Sequence, residues 1–385
     1  MKRRTGTYQV TVAGGERVQA FVPHPLPPAN PPLLLDERLS SLLADATAAL
    51  GQLAVAGTMV PNPDWFLYGF VRKEAVISSQ IEGTQATLAD VLEFEATNKA
   101  KRPEDVEEVC NYVEALSWAR RELSKPKGLP ISTRLLCLAH QRLMRGVHGA
   151  NRQPGAIRRS QNWIGGTRPG NARFVPPPPD QVPAALSALE KWLHGKDTLH
   201  PLIRAGLAHV QFETIHPFLD GNGRIGRLLI TLLLEHWGLL DSPTLYLSLA
   251  LKRLQQEYYD RLTAVRMKGD WEGWIAFYLE CVREAAQDGV DVAQRLFKLI
   301  SEDRRKLLAH DGVTIPAIRL FDQLPTHPMI TLPRTISLLK TSKPTASKAI
   351  SALTDTGVLR ETTGKERDRV YAYHAYLRVL TKDAD

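Results

Sequence analysis

Near the middle of the chain, one short run holds the residue types that phosphate chemistry needs: His216-Pro217-Phe218-Leu219-Asp220-Gly221-Asn222-Gly223-Arg224-Ile225-Gly226-Arg227. A helical pattern over 199–214 precedes it, and a strongly apolar helix is predicted over 225–237. Gly221, Asn222 and Gly223 then fall at a helix N-terminus, where unpaired N–H groups and the positive end of the helix dipole favour a phosphate. Glycine, with no Cβ, lets the backbone approach that anion closely. Arg224 and Arg227 are three apart and share one face of the first turn. Asp220 supplies a hard carboxylate oxygen suited to Mg²⁺ on a pyrophosphate. His216 offers an imidazole whose ordinary pKa of about 6.5 suits a general base. Taken singly, a histidine before proline is more often a cap or core residue, and Gly-Asn-Gly only a turn. Base, metal ligand, anion nest and two arginines together at a helix start point to a nucleotide.

The elements that must position these residues are mainly helical. Helical periods recur over 36–50, 64–80, 104–122, 132–145, 183–194, 199–214, 223–236, 251–265 and 271–286,. A short strand is expected at 8–12, followed by a proline-rich extended arm over 23–32. Arg158, Arg159, Ser160, Gln161, Asn162, Trp163 and Ile164, closed by Gly165-Gly166 and resumed at Arg173-Phe174-Val175, read as a small hairpin,. Such an edge is one on which an extended peptide adds as a strand. Past residue 290 the pattern changes. Helices at 292–309 and 315–324 lead to a helix-turn-helix over 332–340 and 344–356, then a two-stranded wing over 358–363 and 369–373. That order is the one of a winged helix-turn-helix. The expected fold is mainly α, a helical core with a hairpin flap and a C-terminal winged module. Its segments are 1–105, 106–290 and 291–385.

The run from His216 to Arg227 resembles the Fic family signature H-P-F-x-[DE]-G-N-G-R-x-x-R and fits it at every specified position. The resemblance implies a helical Fic fold that transfers AMP from Mg-ATP to a Ser, Thr or Tyr hydroxyl of a protein. On that resemblance His216 deprotonates the hydroxyl, and Asp220 holds Mg²⁺ on the α and β phosphates. Asn222 and the amides of Gly221 and Gly223 cradle those phosphates. Arg224 meets the β and Arg227 the γ phosphate, and residues 158–164 form a flap that aligns the target. Ser78-Ser79-Gln80-Ile81-Glu82-Gly83 is similar to the family's inhibitory motif [ST]-x-x-x-E-[GN], with Ser78, Glu82 and Gly83 in register on a helix predicted to end at Gly83. A Glu82 carboxylate on Arg227 would occupy the guanidinium that grips the γ phosphate and so act as a brake. Some family members with this motif also remove AMP. The resemblance further suggests a homodimer, and self-modification is a plausible outcome. Rival readings are a DNA-binding regulator whose core senses a nucleotide, and an enzyme moving UMP or phosphocholine.

The net charge of +8 is unevenly spread: twelve Lys and Arg lie between Cys110 and Val175 against Glu114 and Glu122 alone, so an anionic ligand is expected there. Lys340, Lys343, Lys348, Arg360, Lys365, Arg367 and Arg369 make DNA a candidate partner of the C-terminal module, although Glu361, Glu366 and Asp368 dilute its wing. Cys110, Cys137 and Cys281 lack metal or disulfide spacing. The longest apolar run, 228–240, is too short to span a bilayer, and a cytoplasmic protein without membrane partners is expected. Tyr246, Tyr258 and Trp271 are candidates for stacking on the nucleotide base.

Overall fold

The computed structural model describes residues 3–58, 62, 64–146 and 152–382. In chain order the elements are β1 (Gly6–Ala13), β2 (Glu16–Pro23), α1 (Glu37–Thr58), α2 (Asp64–Ile81), α3 (Leu88–Thr97), α4 (Pro103–Ser124), α5 (Thr133–Leu143), α6 (Val182–His194), α7 (Pro201–Ile215) and α8 (Asn222–His236). They continue with α9 (Ser248–Arg253), α10 (Gln255–Lys268), α11 (Trp271–Leu308), α12 (Ile315–Gln323), β3 (Met329–Thr331), α13 (Leu332–Leu339), α14 (Lys343–Asp355), β4 (Arg360–Glu361), β5 (Val370–Ala372) and α15 (His374–Thr381). The mainly helical class expected from sequence is observed. These elements cluster into two units, Met1–Gly51, Asn111–Pro243 and Leu247–Ala285 in one, and Gln52–Cys110, Thr244–Tyr246 and Ala286–Asp385 in the other. The units interleave along the chain, whereas the sequence reading cuts it into three consecutive segments.

The first unit is built on α7 and α8. Every residue from Leu202 to Ile215 is buried, which explains why α7 shows little amphipathic period: it has no solvent face. Gly206 admits Tyr278, whose ring would lie 2.7 Å from a Cβ at that position, and the Gly206 carbonyl accepts the Trp274 indole N–H at 2.9 Å. β1 and β2 form an antiparallel hairpin from Gly6↔Pro23 to Ala13↔Glu16. The sequence reading found only part of β1. Gly14 and Gly15 at φ +55° and +82° make the two-residue turn, a signal the sequence did carry. The proline-rich arm is fastened rather than loose, because Arg3 binds the Pro31 and Pro32 carbonyls and Glu272.

Helix α1 contains the one segment among the described residues that is long and apolar enough to cross a membrane, Glu37–Gly57, with mean hydropathy 1.4. This corrects the choice of 228–240 as the segment to weigh. Its buried residues Leu39, Ala46, Ala49, Leu50, Leu53 and Ala56 recur at helical spacing on one side, the pattern of a helix against a core.

In the second unit, α2 is buried along most of its length. Leu380 of α15 fills the notch left by Gly69, 2.9 Å from where a Cβ would stand. Tyr376 of the same helix contacts the Trp65 and Pro325 carbonyls at 3.1 Å each. Helix α2 ends at Ile81, not Gly83: Glu82 and Gly83 lie in the following turn, with the Glu82 N–H on the Ser79 carbonyl at 3.0 Å. α3, which the sequence reading missed, opens on a capping box between Thr87 and Asp90,. α11 is one helix of 38 residues where two, over 271–286 and 292–309, were expected; Gly289, between them, receives Leu53 against its bare Cα. At the C-terminal end three strands stand in the order β3-β5-β4 beside α12, α13 and α14.

Candidate active site

Helix α7 ends on His216, whose backbone is left-handed at φ +50° and ψ +61°. That turn ends α7 and begins the segment leading to α8. Four carbonyls of this loop, those of His216, Pro217, Phe218 and Asp220, are held from elsewhere in the first unit. Arg158, 1% exposed, donates Nε to the His216 carbonyl at 2.9 Å and its other nitrogens to the Ser160 and Pro177 carbonyls. Its backbone N–H donates to the Pro217 carbonyl at 2.9 Å. Asn162 Nδ2 reaches the Phe218 carbonyl at 3.1 Å. Asn222 closes the loop on itself: Oδ1 accepts the Phe218 N–H and Nδ2 donates to the Phe218 carbonyl, both at 2.9 Å.

His140 of α5 holds the far side. Its Nδ1 accepts the Gly155 N–H at 2.8 Å, so the neutral ring carries its proton on Nε2 and donates it to the Asp220 carbonyl at 3.0 Å,. The ring lies flat on Phe218, with centroids 3.8 Å apart. Gly221 stands at φ +74° with Met144 Sδ 2.9 Å from a would-be Cβ. Only glycine fits both the backbone angle and the space.

His216 is a neutral base. Its pKa is pushed down to about 3, chiefly by burial, then by the Arg266 and Arg158 guanidiniums, with the Glu213 backbone offsetting part of the shift. Glu213 also places a carboxylate oxygen 4.0 Å from Nδ1. Arg266 touches the end of α7 through the Thr214 hydroxyl and the Glu213 carbonyl, each at 3.2 Å. It stays protonated although burial lowers its pKa to about 10. Two turns before His216, His209 is pushed down to about 3 by burial and pairs with the Tyr258 hydroxyl at 2.8 Å.

The start of α8 faces this base. Asp220 is exposed, its Oδ1 accepting the Gly221 N–H at 2.6 Å and lying 3.7 Å from Arg224. Arg224 and Arg227 are both buried, so two guanidiniums stand at the positive end of a helix dipole. A Mg²⁺ ion fits this arrangement only with its substrate. No cluster of three or more metal-binding side chains exists among the described residues, and Asp220 alone offers an accessible carboxylate. Mg²⁺ characteristically takes one or two carboxylates and completes its shell with phosphates and water.

The Fic/DOC family N-terminal profile matches residues 40–121 and the Fic/DOC family profile residues 130–234. Those two stretches of the chain are similar to the two Fic/DOC-family domains. It is 28% identical over 261 residues to the protein adenylyltransferase Fic of Drosophila mojavensis, covering 65% of this chain and 47% of that protein. The homologue of Drosophila grimshawi is likewise 28% identical, over 66% of this chain and 50% of its own length. The chain thus spans about half the length of these curated relatives. In fold it resembles a Fic family protein from Desulfovibrio desulfuricans, with a TM-score of 0.58 at 23% identity over 89% of this chain and 98% of that one.

Three expectations change with the structure. The flap is not a ladder: it has a single bridge, Ile164↔Phe174, with hydrogen bonds of 2.8 and 3.1 Å. Its first half is tethered instead to the loop between α7 and α8. Arg158 is a buried clamp and Asn162 a tie, while Arg159, Ser160, Gln161, Trp163 and Ile164 retain some exposure. Second, the Asn222 side chain is tied within the loop to both polar backbone groups of Phe218, and the N–H groups of Asn222 and Gly223 fall in the first turn of α8, where they lack intrahelical partners. Third, Tyr246, Tyr258 and Trp271, candidates for stacking on a base, are all buried. Tyr246 bonds Asp288 and Tyr258 bonds His209. Sequence reasoning missed His140, Arg266 and Glu213. His140 sits on the buried face of α5 among Leu136 and Leu143, where a histidine reads as ordinary core. In the second unit Ser78 is buried and Glu82 and Gly83 are exposed.

Proposed function

We propose that this chain transfers AMP from ATP to a hydroxyl side chain of a protein. The observation that carries the reading is a neutral imidazole fixed at the end of α7, directly ahead of a helix N-terminus holding two buried arginines. His216 takes the proton of the target hydroxyl, and the oxygen attacks the α-phosphorus. The bond from that phosphorus to the bridging oxygen breaks, and pyrophosphate leaves. The residues act by holding the reactants in line and by stabilising charge. The first-turn amides of α8 with Arg224 and Arg227 bind the phosphates. Asp220 would hold a Mg²⁺ ion, which neutralises phosphate charge. Residues 158–164 align the target, itself a second copy of this chain in one version of the reading, which includes a homodimer and a cytoplasmic setting. Glu82 restrains the reaction by contacting Arg227; in related readings it assists AMP removal, or the nucleotide is another one.

The test compares wild type, Glu82→Gly and Glu82→Gly/His216→Ala with α-labelled ATP, Mg²⁺ and a cell lysate. Strong labelling of protein by Glu82→Gly, weak by wild type and none by the double variant is expected. Silence from every variant with all four nucleotides would overturn the transferase reading in favour of a nucleotide-sensing regulator.

A second reading concerns the C-terminal segment, taken as a winged helix module that binds duplex DNA. Lys340, Lys343, Lys348, Lys365 and Arg367 are exposed. The wing's Glu361 is turned inward, accepting the Thr363 and Gly364 N–H groups. Fluorescence anisotropy with a labelled duplex is expected to show binding that weakens steeply with salt and is lost in Lys343→Glu/Lys348→Glu; no binding at low salt rejects it.

A further inference from the structure

Arg266 of α10 stands between two parts of the site that the family motif does not connect. Its guanidinium donates to the last turn of α7, at the Thr214 hydroxyl and the Glu213 carbonyl. A cation at the carbonyl end of a helix satisfies groups that lack intrahelical partners. Its carbon also lies 4.0 Å from the centroid of the Phe174 ring. Phe174 is the flap residue that exchanges both hydrogen bonds with Ile164. One side of the same planar group therefore holds the helix end that bears His216, while its face supports the strand that pairs with the target-aligning segment. Phe174 is backed in turn by Phe21 of β2, with ring centroids 6.1 Å apart.

We infer that Arg266 is a positioning residue that fixes the flap and the base relative to each other, so that a target hydroxyl aligned on the flap arrives within reach of the His216 imidazole. The inference rests on the transferase reading for its meaning, but not for its test. The charged groups facing His216 are Glu213 on its own helix, Arg158 from the flap side and Arg266 from α10. Removing the Arg266 charge leaves Arg158 as the one cation of the three. Proton affinity of His216 then rises, consistent with the part Arg266 plays in holding the ring neutral. A cation on an aromatic face contributes more when desolvated, so the Phe174 contact is a directional one that lysine reproduces poorly.

The experiment uses the full chain without turnover. Histidine ring resonances are titrated by NMR, and amide hydrogen exchange is followed at Ile164, Phe174 and His216. The proteins are wild type, Arg266→Lys, Arg266→Met and Phe174→Leu. Arg266→Met is expected to raise the His216 proton affinity about tenfold, one pKa unit, and to speed exchange at all three amides about tenfold. Exchange in α14 serves as a reference and stays unchanged. Arg266→Lys is expected to keep the His216 titration close to wild type while still speeding exchange at Ile164 and Phe174. Phe174→Leu, which leaves the helix cap intact, is expected to loosen Ile164 without moving the His216 titration. Wild-type exchange at Ile164 in both Arg266→Met and Phe174→Leu would overturn the coupling. So would a uniform rise that includes α14, which would make Arg266 a general stability residue. An enzyme silent with every nucleotide would defeat the transferase reading and leave these readouts standing.

Discussion

The loop between α7 and α8 and the flap tip are both short irregular segments of the first unit, and they are held in opposite ways. The loop between α7 and α8 is bonded by residues far away in sequence: Arg158 and Asn162 lie 58 and 56 residues from their partners, and His140 lies 80 away. The tip between Ile164 and Phe174 is bonded mostly to itself. Asn171 Oδ1 accepts the Thr167 and Arg168 N–H groups, each at 3.0 Å, and its Nδ2 donates to the Thr167 hydroxyl. Its long-range ion pairs, Arg168 with Glu16 and Arg173 with Asp260, are both on the surface, where such pairs contribute little. The difference separates two tasks. A base and an anion nest must be placed to a fraction of an ångström before reactants arrive, and only contacts from several elements fix a loop that well. A surface that meets a target has no such demand at its tip.

Acid should break the comparison most strongly. The folded pKa values of His209 and His216 near 3, and of His140 near 4, lie below the unfolded value of about 6.5. Between about pH 6.5 and pH 4 the unfolded chain therefore binds more protons, and stability falls as pH falls through that window. Above pH 6.5 these groups contribute no pH dependence. With three such groups the slope reaches about 4 kcal/mol per pH unit at most. Protonation also removes the Nδ1 acceptor that His140 offers Gly155. Denaturant titrations at pH 7, 6 and 5 should show the loss. Amide exchange should rise in the loop, with the already exposed tip changing least; a flat profile would contradict neutral burial of these rings.

Asn222→Ala tests the loop alone. It leaves the buried Phe218 N–H without its partner and takes one of two donors from the Phe218 carbonyl, the other being Asn162, a loss of about 2 kcal/mol, measurable as a shift in urea midpoint. On the transferase reading, AMP transfer should fall with it. Asn171→Ala is the matching change at the tip. A cost below about 1 kcal/mol is expected there, with kcat for transfer unchanged and KM for the protein target raised. A large fall in kcat would show the tip to be as constrained as the loop.

The sequence made the loop legible and the scaffold behind it much less so. His216 through Arg227 are contiguous, and each has a role that its chemistry and spacing suggest. The tethers are not contiguous. Arg158 stood in the flap by position, yet a guanidinium has enough donors to clamp several carbonyls at once, and no sequence period reveals that it points inward. His140 lies on an apolar helix face, where its type alone predicts core. The helical architecture followed from apolar spacing, and its misses have definite causes. α7 lacks a solvent face, Gly289 is a packing notch rather than a break, and the first hairpin announced itself only through Gly14-Gly15. The end of α2 was misplaced by two residues because Gly83 signals a stop without saying how far the turn before it extends.

The self-bonded tip has a consequence for how such a protein changes over generations. Because residues 165–172 lean on Asn171, on Glu16 and on the β1–β2 hairpin, substitutions or length changes there do not touch the bonds that hold His216. On the transferase reading, target preference changes through that segment alone, while His216 and the start of α8 are inherited intact. The molecule is in this respect built like a tool with a fixed cutting edge and a replaceable guide.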